Sequence, residues 1–153
     1  MGEPTPSLLA ETEALKRAYA ALNRNDIPGF AQLFDTQIEW IDPVENPSDG
    51  TYCGLAAVVA HTTAARARWA EGSCEPVRLI VAGDKIVVFV DVRVRLKDEA
   101  EWREGRLGDV YTFRDGKIVG ARSFLDRQKA LEWAGANAPD TNLPAPPPTG
   151  RRR

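Results

Sequence analysis

Histidine is almost absent from this 153-residue chain, His61 being the only one. Cysteine is nearly as scarce, and Cys53 and Cys74 form no Cys/His spacing that resembles a zinc site and no disulfide framework. No metal and no other cofactor is expected. No stretch approaches the roughly 18 apolar residues of a membrane span. Glu3, Glu11 and Glu13 stand where a secretory leader would carry a basic and then a long apolar region. A cytoplasmic location without a membrane partner is therefore expected. Positive charge is in short supply too: the formal net charge is −2, and setting aside Arg151, Arg152 and Arg153 leaves 17 basic against 22 acidic residues. No basic stripe for nucleic acid is present.

What remains is an ordinary globular composition, 43% hydrophobic, at a length that fits one domain with a real core. The reading is a single domain over residues 1–137. Residues 138–153 hold five prolines and no apolar period, and read as a Pro/Arg-rich tail without a core of its own.

Leu8, Leu15, Tyr19 and Leu22 recur at helical spacing after a Ser7 cap, and Asn23-Arg24-Asn25 ends the pattern. Asp26 caps a second helix that tolerates Pro28 in its first turn and ends near Asp35. Ile38 to Asp42 alternates with period two and stops at Pro43, as a strand does. A third helix is expected from about Leu55 to Glu71, with Val58, His61, Ala65 and Trp69 on one side. Strands then follow at Val77–Val81, Ile86–Lys97, Glu101–Phe113 and Lys117–Leu125, joined as hairpins by Gly83-Asp84, Asp98-Glu99 and Asp115-Gly116, with a short closing helix from Asp126. The fold class is α+β: three helices packed on a strongly curved, mostly antiparallel sheet that encloses a conical pocket.

The middle hairpin sets a register. A two-residue turn at Asp98-Glu99 puts Asp91 opposite Arg106 and Arg93 opposite Glu104, two favourable charge pairs on one face. Phe89, Trp102 and Arg95 share that outer face, which is either solvated or meets a second subunit. On the other face Val88 meets Asp109 and Val90 meets Leu107, so Asp109 stands on the helix-covered side among apolar neighbours. Asp42, beside Trp40 and Ile41, is in a similar position. A carboxyl stripped of hydration has its charged form disfavoured and its pKa raised towards values useful in proton transfer. Two carboxylates about 10 Å apart at an effective dielectric of about 20 repel by only about 1.7 kcal/mol, about one pKa unit, so desolvation must supply the rest.

The bland readings are specific. Asp42 before Pro43 is also a common turn opener, and Asp109 is placed to pair with Arg103 or, if that side chain turned inwards, Arg122. Tyr19 is either a core aromatic with its hydroxyl at the rim or a polar pocket group. His61 is either a satisfied half-buried side chain or a general base. Phe34, Trp40, Trp69 and Tyr111 read as pocket walls suited to a flat apolar ligand, with Val58, Val88, Val90, Leu107, Ser123 and Leu125 completing the expected lining.

Ala20-Ala21-Leu22-Asn23, Asp26, Leu33-Phe34, Ile41-Asp42-Pro43, Gly54, Gly108-Asp109-Val110-Tyr111 and Asp115-Gly116-Lys117-Ile118 resemble the nuclear-transport-factor-2-like superfamily, which includes the SnoaL-like polyketide cyclases. The pattern most similar within it is that of bacterial ketosteroid isomerase. That resemblance implies a catalytic base at Asp42, an oxyanion-hole acid at Asp109 and a homodimer. It puts the family's oxyanion tyrosine at Ala18 and its helix-three partner at Thr62, so here the supporting network is either missing or rebuilt, from Tyr19, Tyr52 or His61. The aspartate–arginine–aspartate chemistry of related epoxide hydrolases is disfavoured, because its last aspartate falls on Ser123. The expectation is a cofactor-independent enzyme isomerising a β,γ-unsaturated ketone or similar flat apolar carbonyl compound, with Asp42, Asp109 and Tyr19 catalytic. The alternatives are a SnoaL-like cyclase using Asp109 or His61 as base, and a non-catalytic module that binds a hydrophobic ligand or dimerises.

Overall fold

Two helix ends show how local sequence shapes the framework of the computed structural model, which describes residues 6–42 and 50–136. Helix α1 spans Pro6–Asn23. Asn25 then turns left-handed at φ 65°, while the N–H groups of Asn25 and Asp26 return to the carbonyls of Leu22 and Ala21. This doubly bonded stop satisfies carbonyls that a helix end leaves free. Asp26 at once caps the single-turn α2, Ile27–Phe30, by accepting from the Gly29 N–H. The expected Ser7 cap falls where side chains lie outside the described residues, as do the Pro43 stop and the tail 138–153.

A 3₁₀ turn, Ala31–Leu33, leads into β1, Phe34–Ile41, followed by the short β2, Thr51–Cys53, and α3, Leu55–Ala67. The chain then runs back and forth as β3 (Trp69–Ala82), β4 (Lys85–Leu96), β5 (Arg103–Arg114) and β6 (Lys117–Phe124) before closing with α4, Arg127–Ala134. The six strands of the described residues form one open sheet in the order β2-β1-β6-β5-β4-β3. All neighbours are antiparallel except β1 and β6, which run parallel, so the sheet is mixed.

The β4–β5 register is the one expected, with Asp91 opposite Arg106, Arg93 opposite Glu104 and Val88 opposite Asp109. The turn is wider than two residues. Lys97 gives its N–H to the Arg68 carbonyl and leaves the ladder, and Glu99 grips Arg103 through both carboxylate oxygens at 2.8 and 2.6 Å. Of the two charge pairs, Arg93 bonds Glu104 at 3.0 Å, whereas Asp91 takes Arg127 at 2.8 Å in place of Arg106.

Helix α3 stops four residues early. Trp69 pairs with Leu96 and opens β3, a 14-residue edge strand that includes Pro76, which an edge tolerates, and bulges beside it. Gly72 in this strand has φ 129°, and a Cβ there would lie 2.2 Å from the Arg93 carbonyl oxygen. Only glycine fits.

The main core lies between the inner sheet face and α1 and α3, around Leu15, Ile38, Val58, Ile86, Val88 and Ile118. The closing helix expected from Asp126 is α4, capped by that residue, and it adds a fourth helix to the three on the inner face by packing on the opposite face over Val87, Phe89 and Val110. Phe89 is therefore buried, with the Arg127 guanidinium 4.8 Å from its ring. No helix among the described residues is long and apolar enough to cross a membrane.

Candidate active site

Between the inner sheet face, α1 and α3 is a cavity of about 250 Å³. Of the residues expected there, Tyr19, Trp40, Asp42, His61, Trp69, Val90, Leu107, Asp109, Tyr111 and Ser123 line it. Phe34, Val58 and Val88 do not reach it. They are 5%, 0% and 0% exposed and pack in the core behind the wall. Leu125 follows the last strand and is 49% exposed, away from the cavity. Trp69 reaches the wall from a strand rather than from α3.

Asp109, on β5, is the hub of one polar cluster. Its Oδ2 accepts the Tyr19 hydroxyl proton at 2.6 Å and its Oδ1 accepts that of Ser123 at 2.6 Å. The Tyr19 and Tyr111 hydroxyls are 2.7 Å apart. Since Tyr19 gives its proton to Asp109, Tyr111 donates to Tyr19. Ala18, where the resemblance places a tyrosine, is buried; Tyr19, one step round the helix, reaches the same carboxyl. Arg103 and Arg122 do not pair with Asp109: the first holds Glu99 and the second lies over Phe124 and Trp133 on the far face.

Burial raises the pKa of Asp109 above the ordinary aspartate value. The hydrogen bonds from Ser123 and Tyr19, with the Tyr111 hydroxyl close behind, oppose this, and the Asp42 charge adds to it. Burial, reinforced by the Asp109 charge, lifts both tyrosines well above their usual range, so they remain protonated donors. The Cys74 thiol at the same wall is pushed up to about 12, first by burial. It is not a nucleophile at neutral pH.

Asp42 forms the second cluster. The indole N–H of Trp40 donates to its Oδ1 at 3.0 Å, and His61 Nε2 lies 3.2 Å from its Oδ2. The His61 ring stacks on Tyr52, centroids 3.9 Å apart and 12° from parallel. One carboxylate oxygen is thus held by the indole N–H, and the other faces the His61 ring nitrogen. The turn-opener reading explains neither contact.

Sequence reasoning missed Leu22, Phe30, Thr62, Ala65, Arg66 and Cys74 as wall residues. Leu22 stands one turn beyond Tyr19 and was within reach of the helical period. Arg66 gave no signal, because a lone arginine on a helix reads as solvated. Among the described residues no group of three or more His, Cys, Asp or Glu side chains is placed to hold a metal.

A family model described as a SnoaL-like domain matches residues 15–121. Solved structures share the fold. An NTF2-like protein from Burkholderia xenovorans LB400 is 29% identical, the match covering 87% of this chain and 98% of that one with a TM-score of 0.65. A protein assigned as a SnoaL-like polyketide cyclase from Jannaschia sp. CCS1 is 13% identical, covering 90% and 99% with a TM-score of 0.70. A hypothetical protein with a ketosteroid isomerase-like fold from Catenulispora acidiphila DSM 44928, in complex with trimethylamine, is 15% identical, covering 88% and 97% with a TM-score of 0.66. No curated protein matches the sequence. With more than half of its length matched by one family model, the chain belongs to the SnoaL-like domain family.

Proposed function

We propose that this protein is a cofactor-independent proton-transfer enzyme acting on a small, flat β,γ-unsaturated ketone. The observation that carries the reading is the pairing of two unlike carboxyls on one apolar cavity: Asp42, held by Trp40 and His61, and Asp109, held by Tyr19 and Ser123. Asp42 takes the proton from the carbon next to the carbonyl, and the C–H electron pair forms the enolate double bond. The charge that moves onto the carbonyl oxygen is met by the Asp109 acid proton. Tyr19 and Ser123 keep that carboxyl in place. Asp42 returns its proton two carbons away, giving the conjugated ketone with no change in redox state.

Cavity size limits the substrate. Sites for drug-sized ligands run from roughly 300 Å³ upwards, and 250 Å³ suits one or two rings rather than four. Asp42→Asn should lower kcat on a small cyclic β,γ-unsaturated ketone by about 10²- to 10⁴-fold, the usual worth of a general base, while leaving the binding of a planar phenol unchanged. An Asn variant that still turns over normally removes Asp42 from the chemistry.

The second reading is an intramolecular aldol cyclase in which Asp109 or His61 is the base, favoured by the match to the SnoaL-like family model. Loss of turnover in Asp109→Asn with Asp42→Asn still active selects it.

A further inference from the structure

Arg66 is the one permanently charged cation on the cavity wall among the described residues. Its guanidinium lies 4.4 Å from the centroid of Trp69. The Nε–H donates to the Leu22 carbonyl and Nη2 to the Asn23 carbonyl, both at 2.8 Å. These bonds put a cation against the C-terminus of α1, where it complements the helix dipole, and they occupy one side of the guanidinium fork. A guanidinium has five N–H donors, so the edge formed by Nη1 and the outer Nη2 hydrogen makes no bond to a described residue. No carboxylate of a described residue lies within ion-pairing distance of it.

The position of this edge is informative. Arg66 follows His61 by five residues on α3, a displacement of roughly 7.5 Å along the helix axis. Ala65 beside it is exposed and Trp69 half-buried, whereas Tyr19 and Tyr111 are buried. The wall therefore runs from the proton-transfer groups inside to a cation near the entrance, with Trp69 as a flat apolar surface at that end.

We propose that Arg66 binds a carboxylate carried by the substrate, at the end remote from its reacting carbonyl. This rests on the reading of the cavity as a substrate site, and names the substrate class as a small ring keto acid. The planar fork matches a carboxylate through two parallel N–H bonds, and a carboxylate there neutralises a cation that no side chain of the described residues neutralises. Two of the three participants are already fixed: the backbone of α1 and the Trp69 ring hold the guanidinium before the ligand arrives.

The test is calorimetric titration of the protein with 2-naphthoate and with 2-naphthamide, which differ in charge and hardly in shape. The acid is expected to bind at least about ten-fold more tightly, as charge-assisted hydrogen bonds allow. In Arg66→Gln the two affinities should converge, with the larger loss falling on naphthoate. Arg66→Lys, which keeps the charge without the fork, should retain part of the preference. Equal binding of acid and amide by the unmodified protein overturns the proposal, and so does an Arg66→Gln variant that weakens both alike, because Arg66 then only supports α1. If Arg66→Gln fails to fold, the unmodified protein's preference and the Lys variant decide. Binding is read without turnover, so an Asp42→Asn variant that still prefers naphthoate separates this inference from the isomerase reading.

Discussion

Tyr19→Phe is the perturbation whose consequences the structure sets out most fully. The change removes one hydroxyl and no ring carbon, so the edge-on packing against Phe30 and Tyr111 survives. Two hydrogen bonds are lost: the 2.6 Å bond to Asp109 and the 2.7 Å bond from Tyr111. Tyr111 is 1% exposed, and its hydroxyl is left short of an acceptor, which costs about 1–3 kcal/mol in a buried place. At this chain length each kcal/mol corresponds to roughly 2–4 °C in Tm. The Asp109 bond adds a dependence on pH. Tyr19 stabilises the ionised carboxylate, so its loss raises the Asp109 pKa further, and the penalty grows as pH rises through the titration of Asp109. At low pH, with the carboxyl protonated in both proteins, only the neutral-bond part remains. Urea denaturation of the parent, Tyr19→Phe, Asp109→Asn and the double variant between pH 4 and 8 forms a cycle that isolates this coupling. A coupling below about 0.5 kcal/mol at neutral pH, or a penalty independent of pH, would refute the reasoning.

Asp109→Asn alone should reshape the stability profile. The folded pKa of Asp109 lies above its ordinary value, so its contribution is complete below about pH 4 and is lost as pH climbs through the folded value, at no more than about 1.4 kcal/mol per pH unit. The stability of the parent relative to the Asn variant must therefore fall across that window in urea titrations. His61→Ala frees Asp42 Oδ2 and should lower kcat by roughly 10- to 100-fold with KM little changed, since misplacing a base by about 1 Å costs that much; steady-state rates within two-fold of the parent would contradict it. Gly72→Ala forces a side chain into φ 129° against the Arg93 carbonyl and should cost at least about 2–3 kcal/mol, read from the denaturation midpoint.

The parts legible from sequence were those with a repeating physical signal. Alternating valines and opposed charges placed β4 against β5 to the residue, because a slip by one would have turned Asp91 and Arg93 inwards. The same alternation put Asp109 on the helix-covered face. A period tells a face but not a depth, however, so Val88 from strand alternation, Val58 from helical spacing and Phe34 as an aromatic beside the first strand were assigned to the wall when they pack behind it. Trp69 continued a helical pattern that pairing with Leu96 overrode, an instance of tertiary contacts outweighing local preference. Arg66 was invisible because its role depends on the end of another helix and on Trp69, neither of which spacing reveals. The partners of Asp42 were similarly hidden. Trp40 stands two residues before it, near the end of β1, but His61 comes from α3 and meets it only in three dimensions.

The most direct measurement is the carboxyl-carbon NMR titration of Asp109, assigned by loss of its resonance in Asp109→Asn. Because burial outweighs the hydrogen bonds that Asp109 accepts, the group should titrate above the ordinary value of about 3.9, the direction that an acid proton offered to a developing enolate requires. Titration at or below that value would mean that hydrogen bonding prevails over desolvation, and would leave the cavity without its proton donor.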